Sequence, residues 1–258
     1  MFPFFTVMGR TIGMYQFMAL AGIFAAGIYV TRICKKTGHD DNDGIAFLLI
    51  VSIGVFAGGH ILYSLVNYRI LIELIQNISI INSFDNFLTA VNLIWGGNVF
   101  YGGLLGGILA VMIILKIKPQ YGYLLDITAP AIPLFHFFGR IGCFLAGCCF
   151  GIESFFGFTA YHSIVEEANG IHRFPVQLLE ALVNLVLFVI LDNFRRKNLF
   201  RQNLLYLYLL FYSVARFFIE FLRGDEYRGF VFFLSTSQII SILILCFVAP
   251  KIYSLIRR

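Results

Sequence analysis

Charge is what this sequence has least of. Asp, Glu, Lys and Arg make up 13% of its 258 residues, about half of the ~25% usual in soluble globular domains. With 59% hydrophobic residues and a mean hydropathy of +0.85, that scarcity excludes a soluble fold and describes an all-α, polytopic membrane protein. An internal repeat, a low-complexity tract and a separate soluble domain are also missing, so residues 1–258 are read as one integral membrane domain. The N-terminus lacks a basic region before a short apolar core, so no cleavable signal peptide is expected. Five cysteines do not define a disulfide framework in a multispanning chain. Cys143, Cys148 and Cys149 lack the paired C-x-x-C spacing of zinc sites. Packing is the role expected of them, and neither a metal nor a cofactor is expected.

Long apolar runs are abundant. About 20 helical residues span ~30 Å of hydrocarbon, and seven segments qualify: about 11–33, 45–67, 100–117, 124–150, 176–194, 203–222 and 232–256. All six lysines fall in the loops or ends after the first, third, fifth and seventh segments, with Arg195, Arg196, Arg201, Arg257 and Arg258 beside them. By the positive-inside rule that side is cytoplasmic, which puts the N-terminus outside and the C-terminus in the cytoplasm. The net charge of +5 is therefore a topology signal, and no nucleic-acid partner is expected. Residues 68–99 suit an arm lying in the interface, and residues 151–175 a small external cap. The glycine pairs of "YGGLLGG" (101–107) have small-xxx-small spacing for close helix packing.

The rare polar residues inside these runs recur at helical spacing. His136, Arg140 and Cys143 fall on one face of the fourth segment, and Tyr212, Arg216, Glu220 and Arg223 on one face of the sixth. Gln177, Glu180 and Asn184 line the fifth, and His60, Tyr63 and Asn67 the second. Ionisable residues in a membrane face a bundle interior or a watery cavity, so the four stripes are expected to meet. At 1.5 Å per residue, Arg140 stands about 24 Å above Leu124 and Arg216 about 18 Å above Leu204, in the outer half of the bilayer. Arg140 has no acidic neighbour in sequence; the closest are Asp126 and Glu153. Three arginines against one nearby carboxylate, Glu220, leave a positive surplus suited to a phosphate, for which the planar guanidinium is the apt ligand. For Arg216 alone, pairing with Glu220 would serve simply to hold helices. Glu180 reads equally as helix-to-helix glue, and His60 and His136, taken singly, as core histidines.

The chain resembles the bacterial prolipoprotein diacylglyceryl transferases. "GRIG" (139–142) is similar to the opening of that family's G-R-x-G-N-F-x-N-x-E block, and "RFFIEFLRGDEYRG" (216–229) to its G-R-F-x-x-E-x-x-R block. "FPVQLLE" (174–180), "YGGLLGG" and "GMYQF" (13–17) resemble three further motifs, in family order over nearly the whole chain. The resemblance implies a seven-helix, N-out transferase of the bacterial plasma (inner) membrane. It would move the diacylglyceryl group of phosphatidylglycerol to the lipobox cysteine of a preprolipoprotein signal peptide, releasing glycerol phosphate. It implies Arg140, with Gly139, Gly142, Tyr15, Gln177 and Glu180, for substrate binding, and Arg216, Glu220 and Arg223 for catalysis. Tyr101 stands where the family has a histidine, and Cys143, Ala146 and Cys148 where its signature has Asn, Asn and Glu. A phenol of pKa about 10 is a poor base at neutral pH, so either His136 takes the thiol proton or no dedicated base is needed. A related transferase with another acceptor, or a non-enzymatic lipid or anion transporter, are the rival readings; the latter lacks the expected repeat.

Overall fold

A computed structural model of the protein describes residues 1–77, 82–97, 99–225, 230–231 and 233–257. The protein is mostly helical, and its short strands form three two-stranded hairpins outside the long helices. Two compact units make up the chain: Met1–His39 with Tyr123–Arg258, and Asp40–Gly122.

The first unit opens with strands β1 (Phe4–Val7) and β2 (Arg10–Gly13), joined through Met8 and Gly9 at positive φ. This is the left-handed pair that a two-residue hairpin turn requires. Helix α1 (Met14–Lys36) follows directly, so the first span starts three residues later than the hydropathy suggests. In the second unit, α2 (Asp41–Val66) is capped by the Asp40 carboxylate, which accepts from the Asn42 N–H at 2.9 Å. The segment expected as one interfacial arm holds two helices, α3 (Tyr68–Gln76) and α4 (Phe84–Trp95). Residues 78–81 and 98 of that arm lie outside the described residues. Helix α5 (Phe100–Ile117) packs along α2. Gly102 and Gly106 meet Gly58 and Gly54 there so closely that a Cβ on any of the four would enter the opposing backbone. The polar face of α2 serves its own unit: His60 stacks on Trp95 with ring centres 5.7 Å apart, and Ser64 donates to the Ile94 carbonyl at 2.9 Å.

The fourth span is not the continuous helix that its composition suggests. It comprises a 3-10 turn at Pro119–Gly122, helix α6 (Tyr123–Thr128) and helix α7 (Ala131–Ala146), bent by 42° at the join. Pro130 and Pro133 are the cause. Neither has an N–H to donate, and both sit where a new helix start leaves donors unpaired anyway. Gly147 at φ 83 stops α7, so Cys148, Cys149 and Phe150 lie beyond it. The cap follows as strands β3 (Glu153–Thr159) and β4 (His172–Arg173), built over Phe150, Ala160 and Ala168.

Helix α8 (Val176–Arg196) packs on α7 and on α9 (Leu204–Ile219). The α-helical ladder of α9 ends at Ile219, and Glu220–Leu222 tightens to a 3-10 turn with Arg223 extended. The expected common face of Tyr212, Arg216, Glu220 and Arg223 therefore stops short of Arg223. Strands β5 (Phe230–Val231) and β6 (Leu234–Ser235) precede α10 (Thr236–Ile256), which starts in a capping box of Ser235 and Gln238. Leu187, Leu191, Leu204, Leu207, Tyr208 and Val248 form the core among α8, α9 and α10.

Among the described residues, five helices are long and apolar enough to cross a membrane: α1, α2, α8, α9 with its terminal turn, and α10. The bent α6–α7 pair counts as a sixth, and α5 adds a shorter apolar helix over Gly102–Ile117. Their outward faces carry Phe24, Ile28, Ile53, Leu182, Leu243 and Phe247 in the open, as a lipid-facing surface does.

The α2–α5 contact yields a direct check. Gly58→Val must push two backbones apart and should destabilise the protein by about 1–3 kcal/mol or more. The expected readout is a lower thermal midpoint in detergent, with Gly27→Val, which meets no neighbour, as the silent control.

Candidate functional site

The counter-charge of Arg140 is Glu180. Its Nη2 lies 2.9 Å from Glu180 Oε1, joining α7 to α8. The other oxygen of the same carboxylate accepts from Arg216 Nη1 of α9 at 3.3 Å, and the Tyr212 hydroxyl donates to Oε1 at 3.1 Å. One carboxylate, 2% exposed, thus gathers three helices. Arg216 also bonds Glu220 at 2.8 Å and donates to Ser237 Oγ at 3.1 Å, which anchors the start of α10 to the cluster. Arg223 forms a close two-pronged pair with Asp225, bonding through Nε and Nη2. Burial works against the Arg223 charge, but Asp225 outweighs it and raises the guanidinium pKa.

Three arginines therefore face three carboxylates, Glu180, Glu220 and Asp225, and the positive surplus expected from the sequence is cancelled. Asp225 escapes a periodicity search because it lies past the helix end; Glu180 stands on the expected polar face of α8, but its pairing crosses helices and has no local signature. What remains is donor capacity. Arg140 makes one described ion pair, keeps a buried Nε with no hydrogen-bond partner, and leaves its side chain 14% exposed. Of the three arginines it has the fewest described partners.

The other residues singled out in the sequence take distinct places. Gln177, one turn before Glu180, donates its amide to the Cys148 carbonyl at 2.8 Å and so fixes the loop after α7. Gly142 is needed for packing: a Cβ there would come within 3.3 Å of the Tyr15 Cα on α1. Gly139 is not; a Cβ there meets nothing. Tyr15 itself is 46% exposed. His136 sits a turn below Arg140 with Nδ1 3.3 Å from the Tyr208 hydroxyl and its ring against Tyr212. Tyr101 lies in the first turn of α5, in the second unit; its side chain is outside the described residues. Residues 226–229 of the Arg216 motif are outside them as well. Ser237, like Asp225, is a participant that sequence reasoning missed; its signal is its place in the capping sequence Ser235–Gln238.

Cys143, Cys148 and Cys149 form the second feature of the site. Their three sulfurs lie within 4.8 Å of one another, and all are free thiols.

Lipid-facing helices around a buried arginine–carboxylate cluster define an integral membrane protein with a polar site inside its bundle. The profile of the prolipoprotein diacylglyceryl transferase family matches residues 3–253, and the chain belongs to that family. A phosphatidylglycerol–prolipoprotein diacylglyceryl transferase of Clostridium tetani is 34% identical over 242 residues, covering 92% of this chain and 91% of the relative. One of Clostridium perfringens is 33% identical over 246 residues, at 93% and 89% coverage. One of Helicobacter hepaticus is 35% identical over 239 residues, at 90% and 80%.

The shared carboxylate predicts an asymmetry. Glu180→Ala leaves Arg140 without its described counter-ion and takes one of two carboxylates from Arg216, and should cost about 3–5 kcal/mol. Arg140→Ala leaves Glu180 paired with Arg216 and should cost clearly less. Thermal midpoints of the two purified variants in one detergent measure the difference.

Proposed function

We propose that the protein transfers the diacylglyceryl group of phosphatidylglycerol to the lipobox cysteine of a preprolipoprotein signal peptide. The sulfur attacks the glyceryl carbon, the carbon–oxygen bond to phosphate breaks, and a thioether and glycerol phosphate result. The observation that carries this reading is Arg140: largely enclosed, oriented by Glu180, with Nε unbonded. A phosphate diester offers the paired oxygens that such a fork receives. As negative charge gathers on the leaving phosphate, guanidiniums already held in place stabilise it without reorganisation. Arg216, Glu220 and Arg223 complete the catalytic group, and Tyr15, Gly142, Gln177 and Glu180 shape the lipid site around Arg140. The neutral cluster binds the anion through unused donors rather than through surplus charge.

The reading places seven spans in a bacterial plasma membrane, counting α5 and the bent pair, with the N-terminus outside and the basic helix ends of α1, α5 and α8 in the cytoplasm. Other membrane lipids surround the bundle, and the basic residues leave no surface for nucleic acid. The departures at Tyr101, Cys143, Ala146 and Cys148 favour one variant of this reading, a transferase with a different thiol acceptor. Complementation of a strain depleted of its own diacylglyceryl transferase tests the acceptor; failure to restore lipoprotein maturation, with protein in the membrane, refutes the lipobox assignment.

With labelled phosphatidylglycerol and a lipobox peptide, Arg140→Ala should lower transfer at least about 100-fold. Arg140→Lys keeps the charge without the fork and should remain strongly impaired. His136→Ala separates the two routes for the thiol proton. If His136 is the base, the deficit shrinks as pH rises and the thiol ionises unaided; equal rates with the parent at every pH make His136 part of the core.

A further inference from the structure

The three thiols have no part in that mechanism, yet the fold goes to some length to assemble them. Gly147 in the left-handed region turns the chain back on α7, so that the Cys148 N–H donates to the Cys143 carbonyl at 3.2 Å. Cys149 itself takes φ 54, a conformation that costs a residue with a Cβ and that clusters at functional sites. The loop is braced beyond the turn. Gln177 holds the Cys148 carbonyl, the Gly224 N–H donates to the Phe150 carbonyl at 3.0 Å, and Gly151 pairs with Arg223. The thiols therefore stand between Arg140, one turn back from Cys143 on α7, and the extended residue Arg223 that bridges to Gly151. Cys143 is buried, whereas Cys148 and Cys149 are only partly buried and so within reach of a ligand.

The spacing suits a metal. Zinc(II) with bonds of about 2.3 Å holds tetrahedral sulfurs about 3.8 Å apart, so thiols already within 4.8 Å need only a small contraction. Three protein ligands and one open position are what catalytic zinc sites have, whereas structural sites close with four. Sulfur donors select soft or borderline ions.

We propose that Cys143, Cys148 and Cys149 bind one zinc ion, whose open fourth position takes up the acceptor thiol as a thiolate. This rests on the transferase reading above. On binding, the acceptor loses its proton to water, since a coordinated thiol is deprotonated. Its sulfur then attacks the glyceryl carbon. The carbon–sulfur bond forms, and the carbon–oxygen electron pair leaves with glycerol phosphate towards Arg140. The thioether, now neutral, dissociates from the metal. Such a site does at neutral pH what Tyr101, standing at the family's histidine position, cannot do as an ordinary phenol.

The test uses the full-length protein in detergent with its thiols reduced, and cobalt(II) as the optical probe. One cobalt per chain should bind with sulfur-to-metal charge-transfer and intense tetrahedral visible bands, and zinc should displace it. A lipobox peptide should change the visible bands, and the same peptide with Ser for Cys should not. Cys148→Ser and Cys149→Ser should each weaken binding at least tenfold with the thermal midpoint kept, and Cys246→Ser should change nothing. Protein stripped to below a tenth of a metal per chain should transfer lipid at least tenfold more slowly at neutral pH, and zinc should restore it. Absence of binding, bands that persist in Cys143→Ala/Cys148→Ala/Cys149→Ala, a disulfide in place of metal uptake, or bands indifferent to the thiol peptide would each overturn the proposal. Full-rate transfer by the stripped protein overturns it while leaving the transferase reading intact. Bands that respond to the peptide without any transfer from phosphatidylglycerol support the thiol-binding metal site and sink the reaction instead.

Discussion

Glu180 is the anion on which the arrangement of this protein depends. Its two oxygens take Arg140 from one side and Arg216 from the other, and the Tyr212 hydroxyl fills a further acceptor position. In a setting from which water is excluded, each of these bonds is stronger than at a surface, and each absent partner is costlier. The consequence is positional. Helix α8 is held between α7 and α9 at one depth, and its neighbouring turns act from that fixed point: Gln177 orders the loop leading to the cap, and Leu187 and Leu191 enter the core on the other side. One face of a single helix thus sets the loop, the ion cluster and the packing beneath it.

Neutrality shapes how such a site can work. Three unopposed guanidiniums within an apolar bundle would carry a heavy desolvation penalty. Matching them with Glu180, Glu220 and Asp225 lets the bundle fold without a ligand, while the geometry of the pairs leaves Arg140 with donors to offer. On the proposed reading, a lipid phosphate would be received by hydrogen bonds already aimed, without the fold depending on its presence. Preorganisation of this kind gives more to a developing charge than to a resting one.

Much of this is legible in the residues. The apolar runs mark the long helices, and the 3.6-residue spacing of His136, Arg140, Gln177, Glu180, Tyr212 and Arg216 brings forward the side chains that do meet. What escaped is whatever breaks the period. Pro130 divides a run that hydropathy reads as continuous, and the 3-10 turn at Glu220 carries Arg223 off its helix face towards Asp225. The proximity of Cys143 to Cys148 and Cys149 depends on a left-handed glycine, and spacing rules for metal ligands do not anticipate a turn of that hand. Pairings between helices, such as Arg140 with Glu180, have no local sequence signature at all. Family motifs supplied those positions without supplying the partners.

The joint between α6 and α7 has a mechanical meaning. A continuous helix must tilt as a whole when the surrounding bilayer thins or thickens, and its ends move together. A span interrupted at Ala129–Pro130, and bent there by 42°, can take up such a mismatch by flexing at the interruption. The half that carries Arg140 is tied to Glu180 and braced by Gln177 through its following loop; the half before Pro130 carries none of those ties. A tilt of one half need not be passed whole to the other across that interruption. The arginine cluster stands on the half whose position Glu180 fixes.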